Sequence, residues 1–307
     1  MAEEFFNQKS KSELDQVEKI FKDYPDWRPN VLILGAGGVK GFQIIGALLR
    51  GYNFILDLDT IIGCSVGSII GMMLCLNYTP LEIIKEAKDF NFFEFFDIKT
   101  MDNIIDTKGL IDPEIIKDKL QQVVIKKMGH SGTLKELYDM CGIEFISVIS
   151  NKSKFIPEYI SYVKYPDIKI VDIVFLSMNL PIIFHESTFN GNIYIDGAFT
   201  DPLPIHLKDK DENKILIICI NEDYRITNEN NNLITYIYDV ITLPIIMLKK
   251  RSIEMMSDRC KILNMGCEVL DIGFITSQKD KLNMVKRGYE YMDKFINEII
   301  EEENRIR

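Results

Sequence analysis

The order of apolar segments specifies an α/β architecture, a mainly parallel central sheet with helices on both faces. Short runs of β-branched and leucine residues at Val31–Leu34, Thr60–Ile62 and Ile215–Ile220 read as buried strands. Helically spaced apolar residues lie between them, so strands and helices alternate as a parallel sheet with crossovers requires. With 47% hydrophobic and 27% charged residues over 307 positions, the chain has the composition of a globular protein with a sizeable core. Neither a repeat nor a Gly/Pro/Ser-rich linker divides it, so one domain over 1–307 is expected.

Residues 1–29 are expected to form a leader helix, with Ser12 and Asp15 as a capping box and Leu14, Val17, Ile20 and Phe21 as its apolar stripe. A core over 30–222 then begins with strand 31–34, which ends in glycines before a helix expected at 42–50. The strand at 60–62 runs into Gly63, and helical patterns come next at 68–76 and 80–90. Another helix is expected to start at Asp112-Pro113, where a capping residue precedes proline in the first turn. Strands are expected at 145–150 and 154–162, and a helix at 169–178. Tyr194-Ile195 enters a turn at Asp196-Gly197, and 215–220 reads as a central strand. The Asn/Glu run at 228–232 is a solvated loop. A C-terminal helical region over 233–303 is expected to pack on the core as helices at 233–257 and 280–303, with a strand near 268–274 between them.

The formal net charge of −10 argues against nucleic acid as a partner, because phosphate binding needs a concentrated basic surface. No apolar run reaches the roughly 18–20 residues needed to span a bilayer. The polar, acidic start MAEEFFNQKSKSELDQ does not read as a secretory signal peptide, so a cytoplasmic address is expected. Cys64, Cys75, Cys141, Cys219, Cys260 and Cys267 form no CxxC pair and mostly sit in apolar stretches, as reduced thiols do. Scattered acids and three distant histidines suggest neither a calcium loop nor a zinc site.

Chemistry is carried by local patterns. Gly35-Ala36-Gly37-Gly38-Val39-Lys40-Gly41 lies between a strand and a helix, where glycines let backbone N–H groups turn toward a negative oxygen. It lacks the Lys-Ser/Thr ending of a P-loop. Two readings stay open: a loosened dinucleotide fingerprint with Asp57 or Asp59 as the ribose-binding acid, and an oxyanion hole. Gly63-Cys64-Ser65-Val66-Gly67 is a G-x-S-x-G between a strand and an apolar helix, which is the setting of a nucleophile elbow; a tight strand–helix turn also fits. Asp196-Gly197-Ala198 is either a plain turn or the acid partner of the serine. A triad would need a histidine as base, yet His130 lies in a polar connection, His185 comes after an apolar run, and His206 falls ten residues after the aspartate.

Taken in order, the glycine loop, G-x-S-x-G and D-G-A with no convincing histidine resemble the patatin-like phospholipase family. Ser177-Met178-Asn179-Leu180-Pro181-Ile182-Ile183-Phe184 is similar to the family's small-residue, proline and phenylalanine segment before its aspartate. Asp196 through Leu203-Pro204 is similar to its Asp-Gly segment with a downstream proline, so the likeness covers roughly 30–205. It implies a three-layer sandwich and a serine hydrolase acting on carboxylic esters of lipids, of phospholipase A or lysophospholipase type, without a cofactor or metal. Ser65 would be the nucleophile, Asp196 its base, and Gly37 and Gly38 the oxyanion donors. Gly35, Ala36, Lys40, Gly41, Gly63, Gly67, Gly197 and Ala198 would complete the supporting motifs. Lys40 would orient the loop or face an anionic head group; a solvated lysine is the alternative. Ala36 replaces the first of the family's three glycines, and Pro202 stands where the family often has asparagine. These departures keep a non-catalytic lipid-binding protein on the same fold as a further reading.

A phospholipid or other acyl lipid is the implied partner, and peripheral membrane contact has candidate segments. Phe90, Phe92, Phe93, Phe95 and Phe96 suit a lid, an acyl-pocket wall or core packing. The stretch 241–256 joins Leu243, Ile245, Ile246, Met247 and Leu248 to Lys249-Lys250-Arg251, which suits a membrane interface or a helix packed on the sheet.

Overall fold

The computed structural model describes residues 24–89, 104–221, 233–266 and 277–307. Its strands are β1 (Val31–Leu34), β2 (Thr60–Cys64), β3 (Gly109–Ile111), β4 (Glu144–Asn151) and β5 (Ile156–Ile160). They continue as β6 (Ile182–Phe184), β7 (Ser187–Phe189), β8 (Asn192–Asp196), β9 (Ile215–Asn221) and β10 (Cys260–Gly266). The 8-stranded main sheet has the order β10-β9-β1-β2-β4-β8-β7, with β5 also paired to β4. β10, β9, β1, β2 and β4 run parallel, whereas β5, β8 and β7 join through antiparallel pairings. β3 and β6 form a small separate sheet.

Successive side chains of a strand point to opposite faces, so each buried strand feeds two cores. Leu32 and Leu34 enter one apolar cluster, and Val31 and Ile33 enter the other. The first face is covered by α1 (Gly41–Gly51), α2 (Val66–Cys75), α3 (Pro80–Ala87), α4 (Pro113–Met128), α5 (Leu134–Cys141), α6 (Ile170–Ser177) and α8 (Gln278–Ile306). The second face takes α7 (Leu233–Glu254), through Ile245 and Ile253, together with Ala198 and Ile205 from the turns after β8. Helices therefore lie on both faces of a mainly parallel sheet, as expected.

Local chemistry sets the helix starts. Asp112 caps α4 by accepting from the Glu114 N–H at 3.0 Å, with Pro113 in the first turn. Thr79 and Glu82 form a capping box on α3, and Thr133 and Glu136 form one on α5, a helix the apolar spacing did not reveal.

Several boundaries differ from expectation. Residues 24–29 are not helical; Pro25 and Pro29 disfavour a continued helix, and the Asp26 and Trp27 N–H groups donate instead to the Glu303 carboxylate at 2.9 and 2.7 Å. The rest of the expected leader helix lies outside the described residues. So do Phe90 to Phe96, the 228–232 loop, Cys267 and the 268–274 strand. Among the described residues, a strand at Cys260–Gly266 lies between α7 and α8, paired in register with β9, so the C-terminal region supplies an edge of the described sheet as well as helices. The expected 154–162 strand shortens to β5, because 152–155 form the turn of a hairpin with β4.

The most extensive helix pair is α1 against α8. A Cβ on Gly46 would lie 2.0 Å from the Val285 carbonyl oxygen, and one on Gly288 would lie 1.8 Å from that of Gln43. These two glycines let the backbones touch, as small residues do at close helix crossings. Arg50 of α1 then pairs with Asp293 of α8 at 2.6 Å.

Candidate active site

β1 and β2 are parallel and aligned, Leu34 opposite Gly63, so the segments leaving the two strands emerge together at the carboxyl edge of the sheet. Gly35–Lys40 leaves β1, and Ser65 stands between β2 and α2. Such an edge is where open α/β sheets bind their ligands.

Ser65 occupies a sharp strand-to-helix turn at φ 57°, ψ −123°, a strained conformation for a residue with a side chain. The flanking glycines make this turn possible. A Cβ on Gly63 would meet the Gly67 carbonyl oxygen at 2.5 Å, and one on Gly67 would meet that of Leu34 at 2.2 Å. The turn is held from below by buried hydroxyls. The Ser65 N–H donates to Ser177 Oγ at 3.0 Å, and Ser68 Oγ lies 2.9 Å from both Ser177 Oγ and Ser147 Oγ while donating to the Gly63 carbonyl at 2.7 Å.

Asp196 ends β8, which pairs antiparallel with β4 and so returns to the edge where Ser65 sits. Ser65 Oγ donates to Asp196 Oδ2 at 2.5 Å. The other carboxylate oxygen accepts the Ala198 N–H at 2.8 Å. Asp196 is 4% exposed, and this burial raises its pKa from 3.8 to about 6, only partly offset by the hydrogen bonds from Ser65 and Ala198. Its loop is fixed by Ser150 Oγ, which donates to the Asp196 carbonyl at 2.8 Å, and by Asn179, whose carbonyl accepts the Asp196 N–H at 2.9 Å. A Cβ on Gly197 would strike the Val148 carbonyl oxygen at 2.2 Å, which accounts for the glycine after the aspartate.

In the glycine loop the left-handed residue is Gly38, at φ +53°. Ala36 escapes that region, so its replacement of a glycine carries no backbone penalty there. Among the described residues, the N–H groups of Gly37 and Gly38 donate to no protein acceptor. Gly35 donates to the Ile218 carbonyl and packs on Cys219, anchoring the loop to β9, while Gly41 packs against Val66 of α2. Lys40 is 8% exposed, which removes the solvated reading. Pro202 leaves the aspartate loop supported: Tyr159 Oη donates to Asp201 Oδ2 at 2.7 Å, and Ser150 bonds Thr200.

The structure thus brings together Ser65, Asp196 and their supporting motifs, and keeps the histidines apart from them. His206 is an exposed neighbour of Asp201 and Tyr159, His130 is exposed, and His185 hydrogen-bonds through its backbone to β3. Asp57 and Asp59 precede β2, at the amino end of the sheet and roughly 10–13 Å of strand from the glycine loop. A ribose-binding acid belongs at the opposite end, so the dinucleotide reading is overturned. Among the described residues, no group of three His, Cys, Asp or Glu side chains is placed to hold a metal ion. Ser68, Ser147, Ser150, Ser177 and Asn179 form a supporting layer that sequence reasoning missed. Only the likeness of the Ser177–Phe184 segment hinted at two of them.

Comparison with known proteins places the chain in a family. The patatin-like phospholipase family model matches residues 32–207, and the chain belongs to that family. A probable lipid hydrolase of invertebrate iridescent virus 6 is 32% identical over 197 residues, a match covering 60% of this chain and 64% of that protein. An uncharacterised protein of Acanthamoeba polyphaga mimivirus is 28% identical over 88% of this chain and 94% of its own length. The fold is similar to VipD from Legionella pneumophila, with TM-score 0.58 and 14% identity over 89% of this chain and 68% of VipD. It is also similar to the type III effector ExoU of Pseudomonas aeruginosa, with TM-score 0.50 and 11% identity over 90% of this chain and 54% of ExoU.

Proposed function

We propose that this protein is a lipid acyl hydrolase that works through a Ser65–Asp196 dyad and an acyl-enzyme. The observation that carries the reading is the 2.5 Å hydrogen bond from a serine on a nucleophile elbow to a buried carboxylate. Asp196 takes the hydroxyl proton as Ser65 Oγ attacks the ester carbonyl, and then gives that proton to the departing alcohol. Water enters, Asp196 takes its proton, and the acid leaves as Ser65 regains its hydrogen. The N–H groups of Gly37 and Gly38 receive the negative oxygen in both steps, each such donor stabilising the transition state by about 3–4 kcal/mol. The amino end of α2, directly after Ser65, adds positive potential.

A carboxylate is an unusual base for a hydroxyl, and burial narrows the gap. At pKa about 6, Asp196 is a stronger base than a solvated aspartate yet stays ionised at neutral pH. Because the ionised form is the active one, kcat/KM is expected to fall as pH drops through about 6 and to level off above it. A profile with no inflection between pH 4 and about 7 would remove Asp196 as base.

A phospholipase A or lysophospholipase substrate fits the family and the relative named as a probable lipid hydrolase. The direct test is labelling with a fluorophosphonate probe, with the modified residue located by mass spectrometry. Label confined to Ser65, with release of fatty acid from phospholipid or lysophospholipid micelles, is the expected result. A folded protein that takes no label in the presence of micelles would favour a non-catalytic lipid-binding role.

A further inference from the structure

Helix α7 has apolar residues on two faces, and among the described residues one of them packs on the core while the other is exposed. Ile245 and Ile253 pack on the second core cluster, and Thr242 is buried beside them. On the outward side Val240, Leu243 and Met247 are 52%, 57% and 63% exposed. Their spacing of three and four residues places them on one stripe of the helix, which Lys250 continues. Lys250 and Arg251 are exposed and, among the described residues, pair with no acid.

The position of α7 gives this stripe meaning. The helix packs against the Gly197–Phe199 turn, which begins directly after Asp196, and against Ile205–Leu207. Lys249 Nζ donates to the Ile220 carbonyl at the carboxyl end of β9, the end of the sheet that bears Ser65 and the glycine loop. A surface laid on the outer face of α7 would therefore lie beside the candidate site.

We infer that the outer face of α7 docks on an anionic lipid surface and delivers substrate to the Ser65–Asp196 site; this rests on the lipid-hydrolase reading of that site. Val240, Leu243 and Met247 enter the boundary between head groups and acyl chains, and Lys250 and Arg251 meet lipid phosphates and carboxylates. A protein partner is the poorer fit, because the described side chains of the stripe are aliphatic and cationic, without the tryptophan or tyrosine anchors that dominate protein interfaces. The local cations also explain how a chain of net charge −10 approaches an anionic surface, since charges beyond about 8–10 Å are screened in physiological salt.

The test uses vesicles of ether-linked phosphatidylcholine with or without ether-linked phosphatidylserine, which offer no acyl ester to cleave. Leu243→Ser with Met247→Ser is expected to weaken vesicle binding by roughly tenfold or more. Lys250→Glu with Arg251→Glu is expected to abolish the gain that phosphatidylserine gives. Soluble-ester turnover and fluorophosphonate labelling should match the parent in both. Unchanged vesicle binding in both double variants overturns the inference, as does a parent dimer that the serine variant converts to monomer, which would assign the face to a second copy. If the serine variant does not fold, an environment-sensitive dye on Met247→Cys gives the answer: a blue shift on adding vesicles supports docking, and none overturns it. Because binding is read without hydrolysis, an unlabelled Ser65 would sink the enzyme reading while leaving the docking result to stand by itself.

Discussion

Ser65→Ala is expected to lower turnover of acyl esters by roughly four to six orders of magnitude while leaving the fold intact. The side chain is buried and small, and the backbone N–H that ties the elbow to Ser177 survives the change. What disappears is the oxygen that forms the acyl-enzyme, together with the donor to Asp196 Oδ2. That donor lowers the Asp196 pKa, so its loss should raise the carboxyl further and keep it protonated to higher pH. Steady-state kinetics on a soluble ester, beside circular dichroism, would check the result. Turnover near that of the parent would end the nucleophile assignment.

Asp196→Asn separates chemistry from stability, because the two should move in opposite directions. Losing a general base costs roughly 10²–10⁴-fold in rate. Stability, by contrast, should rise. The folded carboxyl ionises near 6 rather than 3.8, so the folded state keeps a proton that the unfolded chain releases between those values. Stability therefore falls as pH rises through that window, and at neutral pH the buried charge costs about 3 kcal/mol. Asparagine removes that cost: its carbonyl oxygen can still accept the Ala198 N–H, while its amide nitrogen donates to Ser65 Oγ in place of accepting from it. The variant should melt several degrees higher at pH 8, with the advantage shrinking as pH falls from 6 toward 4. A variant that loses both activity and stability would mean that Asp196 braces the loop instead of serving as base.

The features legible in the sequence were those written in contiguous residues. The apolar runs of β1, β2 and β9 allow no placement other than the middle of a sheet covered on both faces, and each proved to lie there. Short motifs bound to a strand end, such as Gly63–Gly67, could be placed because the backbone turn demands those glycines. By contrast, β10 carries Lys261 and Asn264 among its apolar residues as an edge strand tolerates, and its weak signal left it unexpected. Helix α5 is short, and its capping box at Thr133 and Glu136 was the available clue. The serine layer under the elbow joins positions 68, 147 and 177, each an ordinary small residue in its own segment. Only the sheet order brings them together, and the distance from Ser65 to Asp196 depends on the same order. The aspartate was recognisable through family likeness, whereas its raised pKa is a property of burial that no local pattern encodes.

The glycine contacts between α1 and α8 tie an early event of synthesis to a much later one. α1 starts directly after the glycine loop, so the position of that loop depends on a partner helix more than 200 residues further along the chain, Gln278–Ile306. A nascent chain that has already emerged with Ser65, Asp196 and the whole glycine loop still lacks the surface on which α1 seats. Such a chain holds the proposed reacting groups without a seated glycine loop. The site is therefore expected to mature only after the ribosome has released Gln278–Ile306, a delay between making the candidate groups and seating the loop beside them.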